Sequence, residues 1–118
     1  EKADKMVANQ QRIFENLKKS GFTYVLGYLL KSNGKYHEKG VDVQMAVDMM
    51  EAAYKDLCDR IILVSSDTDL EPAIRKVREQ GKIVEYVGFS HKPSVAMVSF
   101  CSESTLLKKE DLEELIID

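Results

Sequence analysis

Two aliphatic segments separated by one amphipathic helix constrain this chain more than any other feature. Residues 60–65 read RIILVS and residues 82–89 read KIVEYVGF. Between them Leu70, Ala73, Ile74 and Val77 recur at helical spacing, and Gly81 follows as a stop signal. An apolar run of the first kind suits a strand buried on both faces of a parallel sheet. A strand, a helix and a second strand in that order predict right-handed βαβ crossovers, with helices on both faces of the sheet.

The rest of the chain fits the same alternation. Met6, Ile13, Phe14 and Leu17 predict a helix over 6–19, closed by Lys18, Lys19 and Gly21. Phe22 to Leu30, FTYVLGYLL, reads as a strand, and Lys31 to Gly40, KSNGKYHEKG, as an exposed loop. Val43, Ala46, Val47, Met50, Tyr54 and Leu57 mark the apolar face of a helix reaching about Cys58, its methionines serving as core filler. Ser94 is positioned to cap a short helix through VAMVSF, followed by a strand near Ser104 to Leu107 and a helix in KEDLEELI.

Length and composition bound the reading. The 118 residues, 44% of them hydrophobic, suffice for one domain with a core, so a single domain over 1–118 is expected. No signal peptide or long apolar run is present, which predicts a soluble, cytoplasmic protein without a membrane segment. Cys58 and Cys101 lie far apart and outside any metal-ligand spacing, so reduced, buried thiols are expected. The net charge is −3, but Glu110, Asp111, Glu113, Glu114 and Asp118 gather acid in the tail and leave the rest slightly basic. Nucleic acid is therefore not excluded as a partner.

The chemistry is concentrated where the first apolar strand ends. In a parallel sheet every strand C-terminus, and the start of each following helix, opens onto one edge. Asp67 and Asp69 fall at that edge, and so does Asp42 at the start of its helix. Two such charges repel by about 4 kcal/mol at ~4 Å and an effective dielectric of about 20, so a neighbouring cation is expected. Asp69 also suits an N-cap, with Glu71 and Pro72 in the first turn, and Asp42 a favourable charge on a helix N-terminus, whereas Asp67 has no evident local role. Together the three suit Mg²⁺ or Mn²⁺. Asp48 lies six residues beyond Asp42, about 240° round the helix, and faces elsewhere. Lys31, Lys35, His37, Lys39, His91 and Lys92 sit on loops expected at the same edge, where they form a phosphate-binding rim or a solvated surface. Tyr36 among them could stack on a base.

KGVDVQMAVDMM, CDRIILVSSDTDLEPAIRKVREQGKIVEYVG and SVAMVSFCSESTLL together resemble the NYN domain of the LabA-like group, in the PIN-like ribonuclease superfamily. The resemblance covers nearly the whole chain. It implies a Rossmann-like sheet whose acidic, Mg²⁺- or Mn²⁺-dependent site cleaves RNA, with the acids at Asp42, Asp67 and Asp69 and with Lys39 and Ser65 beside them. Substrate contacts are then expected from Lys35, Lys39, Ser65 and Lys92. The family opens with a strand ending in Asp-x-x-Asn, so a first strand before Glu1 is expected to be missing. Ser66 stands where relatives often have Gly, and Ser102 where they carry a later Asp, which predicts a thinner acidic cluster. Two functions follow: a metal-dependent endoribonuclease, or a catalytically weak RNA-binding or protein-interaction module on the same fold, with a homo-oligomer open in either case. A dehalogenase-type phosphatase also uses Asp-x-Asp after an apolar strand, but on its first strand, and here the motif follows two helices and a strand.

Overall fold

The computed structural model describes residues 1–116. The chain divides into two compact units, Glu1–Glu38 and the segment from Lys39 onward.

In the first unit, α1 (Lys2–Lys19) ends as its sequence predicts. Gly21 takes φ 86° and its N–H meets the Lys18 carbonyl, while Phe22 N–H reaches Leu17, the two bonds of a Schellman cap. Phe14 stacks on Tyr24 at 4.3 Å between ring centroids. The expected strand over 22–30 lies further along the chain. β1 (Tyr28–Ser32) and β2 (Lys35–Lys39) pair with each other, so much of the expected loop is a hairpin. Asn33 and Gly34 both have positive φ, at 51° and 76°, as a type I′ turn requires, and that turn draws Tyr28–Ser32 into local pairing.

The second unit is built on three parallel strands in the order β3 (Arg60–Leu63), β4 (Ile83–Phe89), β5 (Glu103–Leu107). Before β3 comes α2 (Val41–Tyr54). A 3-10 turn (Thr68–Leu70) and α3 (Glu71–Glu79) join β3 to β4, and α4 (Val95–Phe100) joins β4 to β5. The last element is α5 (Lys109–Glu113). Right-handed crossovers that always step the same way leave their helices on the same face. The core accordingly gathers Met49 and Ala53 of α2, Leu63 of β3, Leu70 of the 3-10 turn, Ile74 and Val77 of α3, Val84 and Tyr86 of β4, and Met97 of α4 on that side. Helices on both faces were expected, but α2, α3 and α4 of this unit share one.

Two further expectations shift for the same reason. β3 is buried on one face only: Leu63 is in the core, whereas Ile62 and Val64 are 59% and 63% exposed. In α2 the buried stripe is Met49 and Ala53, flanked by Met45 and Ala46. Val43, Val47 and Tyr54, placed by periodicity on the core face, are exposed. The helix is apolar nearly all round, so periodicity could not select which side the sheet would cover.

The uncovered face of the sheet carries a charged ladder. Arg60 donates to Glu85 at 3.0 Å and to Glu103 at 2.6 Å, and Thr105 Oγ1 donates to Glu85 at 2.6 Å, so one residue or more from each strand is tied in. The Arg60 hydrogen bond and its charge hold the Glu103 carboxyl below the usual range. At the other end of the crossover, Gly81 at φ 78° closes α3 with the same Schellman pair of bonds. Lys82 then bridges Asp56 and Asp59, fixing the α2–β3 connection against the start of β4.

Tyr86 packs directly over Gly88. Their side chains would share the core face, and a Cβ on Gly88 would overlap the Tyr86 hydroxyl and ring. That hydroxyl accepts a hydrogen bond from Ser94 N at 3.1 Å, so it cannot simply swing away. Gly88→Ala should therefore destabilise the protein by about 1–3 kcal/mol, as overpacking does, read as a lower urea midpoint; Gly88→Ala paired with Tyr86→Phe should remain destabilised, because the ring still fills the same space.

Candidate functional site

Two segments deliver the three acids. β3 runs out at Leu63, and the chain turns sharply through Ser65 to Asp69 before α3 begins. Ser65 Oγ accepts from Asp67 N at 3.2 Å, and Asp67 Oδ1 accepts from Asp69 N at 3.0 Å, capping the 3-10 turn. The two aspartates thus exchange the roles the sequence suggested. Asp67 is the cap, whereas α3 takes Leu70 as its N-cap and leaves the Asp69 carboxylate without a capping duty.

Asp42 comes from the first turn of α2. Gly40 precedes that helix at φ 91°, a conformation a side chain would resist, and lets the chain leave β2 abruptly into the helix. Asp42 Oδ1 accepts from Val43 N at 3.0 Å. One carboxylate oxygen from each of Asp42, Asp67 and Asp69 lies within 4.8 Å of the other two, and all three residues are exposed. Asp48 stands apart, accepting from Gln44 Nε2 at 2.8 Å, as its angle round the helix predicts. Ser102 lies at the start of β5, not at this edge, with its Oγ accepting from Val84 N at 3.2 Å. Strand direction therefore removes Ser102 from the acidic cluster altogether.

The donor set fits a hard divalent cation. Three carboxylates and no nitrogen or sulfur ligand suit Mg²⁺ or Mn²⁺, which complete their shells with water. Oxygens on one Mg²⁺ are at most ~4.2 Å apart, so small side-chain rotations would bring the three together.

Two of the four residues expected to contact substrate meet beside this cluster. Ser65 and Lys92 line one cavity of ≈220 Å³, with Ser66, Gly88 and Phe89. Lys39 lies three residues before Asp42 at the end of β2, and Lys35 belongs to the hairpin of the first unit, whose Lys31 ammonium stands 5.7 Å from the Tyr36 ring centre. Phe89, Lys108 and Lys109 did not stand out in the sequence. They border a second cavity at the ends of β4 and β5, and only the register of those strands brings them together.

The arrangement is that of a mixed α/β protein with an acidic site at the carboxyl edge of a parallel sheet. The chain belongs to the NYN domain family, whose pattern it matches over residues 3–108. It is 38% identical over 80 residues to an uncharacterised protein of Methanocaldococcus jannaschii, an alignment covering 63% of this chain and 33% of that protein. A crystal structure of a Vibrio parahaemolyticus protein of unknown function superposes with a TM-score of 0.71 at 22% identity, over 86% of this chain and 62% of that one. The chain thus spans a third of the archaeal relative and under two thirds of the Vibrio protein. Among the described residues no helix is long and apolar enough to cross a membrane.

A divalent cation should stabilise the folded chain by relieving repulsion among the three acids. At about a hundred times the dissociation constant the gain is ~2.7 kcal/mol, or about 10 °C in melting temperature for a domain of this size. Melting in Mn²⁺ or Mg²⁺ against EDTA measures it. Asp69→Asn should shrink the shift and slightly raise the metal-free melting point, while Asp48→Asn should change neither.

Proposed function

We propose that this chain is a PIN-like, LabA-like ribonuclease domain that hydrolyses RNA phosphodiesters with Mg²⁺ or Mn²⁺ held by Asp42, Asp67 and Asp69. The observation that supports this most is the convergence of carboxylate oxygens from α2 and from the turn after β3 within 4.8 Å of one another. Membership of the NYN family supports RNA as the substrate class. A cation bound there would activate water and neutralise charge developing on the phosphodiester.

The chain's own groups have separable tasks in this reading. Asp67 is held by its bond to Asp69 N, which fixes one carboxylate against the backbone and leaves its second oxygen for the metal. Asp42 is steadied in the same way by Val43 N, with the helix N-terminus favouring its charge. Ser65 accepts from Asp67 N and keeps its own proton to donate to a phosphate oxygen. Lys92, in the same cavity, supplies positive charge, and Lys39 and Lys35 are proposed as further phosphate ligands. A cytoplasmic location and any self-association belong to the same proposal.

The exposure of all three carboxylates favours a second reading, an RNA-binding module with little turnover. A water-filled site weakens each electrostatic interaction. Single-turnover cleavage of a labelled RNA separates the two. Asp67→Asn keeps the capping acceptor and removes one charge, so cleavage should fall at least tenfold with folding intact, and Asp69→Asn should do the same. Asp48→Asn should cleave like wild type; equal losses in all three variants would refute the assignment.

The basic residues have their own signature. Replacing Lys35, Lys39 and Lys92 by Gln should weaken RNA binding and flatten its salt dependence by roughly 0.7 in log–log slope for each phosphate that is no longer neutralised. Lys76→Gln, in the last turn of α3 and paired with Glu79 at the surface, should leave the slope unchanged.

A further inference from the structure

β4 and β5 end side by side, with Phe89 opposite Leu107, and the chain then turns tightly. Ser90 N donates to Leu107 O at 2.9 Å and Lys92 N to Phe89 O at 3.1 Å, which holds the turn and presents His91 beside Phe89. The two rings lie 6.1 Å apart between centroids and are tilted by 40°. Phe89 is 40% exposed, although β4 could have placed a polar residue at this position of the uncovered face without loss to the core.

Phe89 is shared by two cavities. The first is the Ser65–Lys92 cavity already described, and the second, of ≈570 Å³, continues past His91 and Leu107 to Lys108 and Lys109. That volume falls in the roughly 300–1,000 Å³ range of small-ligand sites. Its charged lining is two lysines against one acid, Glu110, and Lys92 lines the first cavity together with Phe89. An exposed aromatic side chain that lines two cavities, one with Lys108 and Lys109 and the other with Lys92 and with Ser65, two residues before Asp67, matches the chemistry of unpaired nucleotides. Bases stack on the ring and phosphates meet the lysines. A duplex hides its base faces and cannot use such a platform.

We infer that Phe89, with His91, stacks an unpaired base of the substrate while Lys108 and Lys109 hold the adjoining phosphates, which makes the site selective for single-stranded RNA. This rests on the ribonuclease reading for the identity of the polymer.

The test measures binding of a labelled ten-nucleotide single-stranded RNA to the full chain in EDTA, so that cleavage does not intervene. A series of the same RNA with one abasic nucleotide at each position is compared with the intact strand and with its duplex. Abasic substitution at one or two positions should weaken binding roughly five- to a hundredfold, the range of single base–aromatic stacks. Phe89→Leu should lose a similar factor with the intact strand and become insensitive to the abasic positions, and the duplex should bind more weakly than the single strand. An abasic series that binds wild type uniformly overturns the inference without any variant having to fold. So does a Phe89→Leu protein that keeps wild-type affinity, a duplex bound as tightly as the single strand, or an equal loss of binding to a polyglutamate peptide. Wild type that binds no RNA at all would instead overturn the ribonuclease reading itself, and this inference with it.

Discussion

Parallel pairing of β3, β4 and β5 in sequential order is the constraint on which the rest of this protein depends. Because each right-handed crossover steps in the same direction, the intervening helices accumulate on one side. The same pairing aligns the strand ends, so that Leu63, Phe89 and Leu107 all deliver chain to one edge. The opposite face is left to residues that tolerate solvent, and there the Arg60, Glu85, Glu103 and Thr105 ladder substitutes polar bonds for a second helical layer. Ile62 and Val64 depart from that pattern, as does the outer side of α2.

Clustering three carboxylates needs local compensation, and the backbone supplies it. Asp42 and Asp67 each accept a main-chain N–H, from Val43 and Asp69 respectively. Each bond fixes one carboxylate oxygen against the backbone. Asp69 caps neither the 3-10 turn nor α3. The asymmetry means that backbone bonds orient two of the three carboxylates, while the third is not held by a cap.

Much of this was legible in the residues. Gly21 and Gly81 marked helix ends because only the left-handed region completes a Schellman cap there, and Ser94 marked a helix start because its hydroxyl reaches Met97 N. The order of apolar strands and helices predicted the parallel sheet and the edge on which Asp42, Asp67 and Asp69 meet. What failed depended on tertiary choice. β2 was missed because KYHEK shows no apolar alternation, and its pairing comes from the Asn33–Gly34 turn rather than from burial. The core face of α2 was misassigned because apolar residues surround it. The cap moved from Asp69 to Asp67 because a 3-10 turn intervened before α3, a shift of two residues that composition cannot signal. The second cavity escaped because Phe89 and Lys108 become neighbours only through strand register.

The Tyr86 hydroxyl acquires a wider meaning from its position. It accepts from Ser94 N, while Lys92 N is held by Phe89 O, so the short segment carrying His91 and Lys92 is anchored close to both ends. A loop fixed in this way has surrendered most of its conformational freedom during folding, before any ligand arrives. Interactions made from it are preorganised and lose less entropy on binding than those from a free loop. A phenol in the core thereby adds to the stiffness that Pro93 already gives this surface segment.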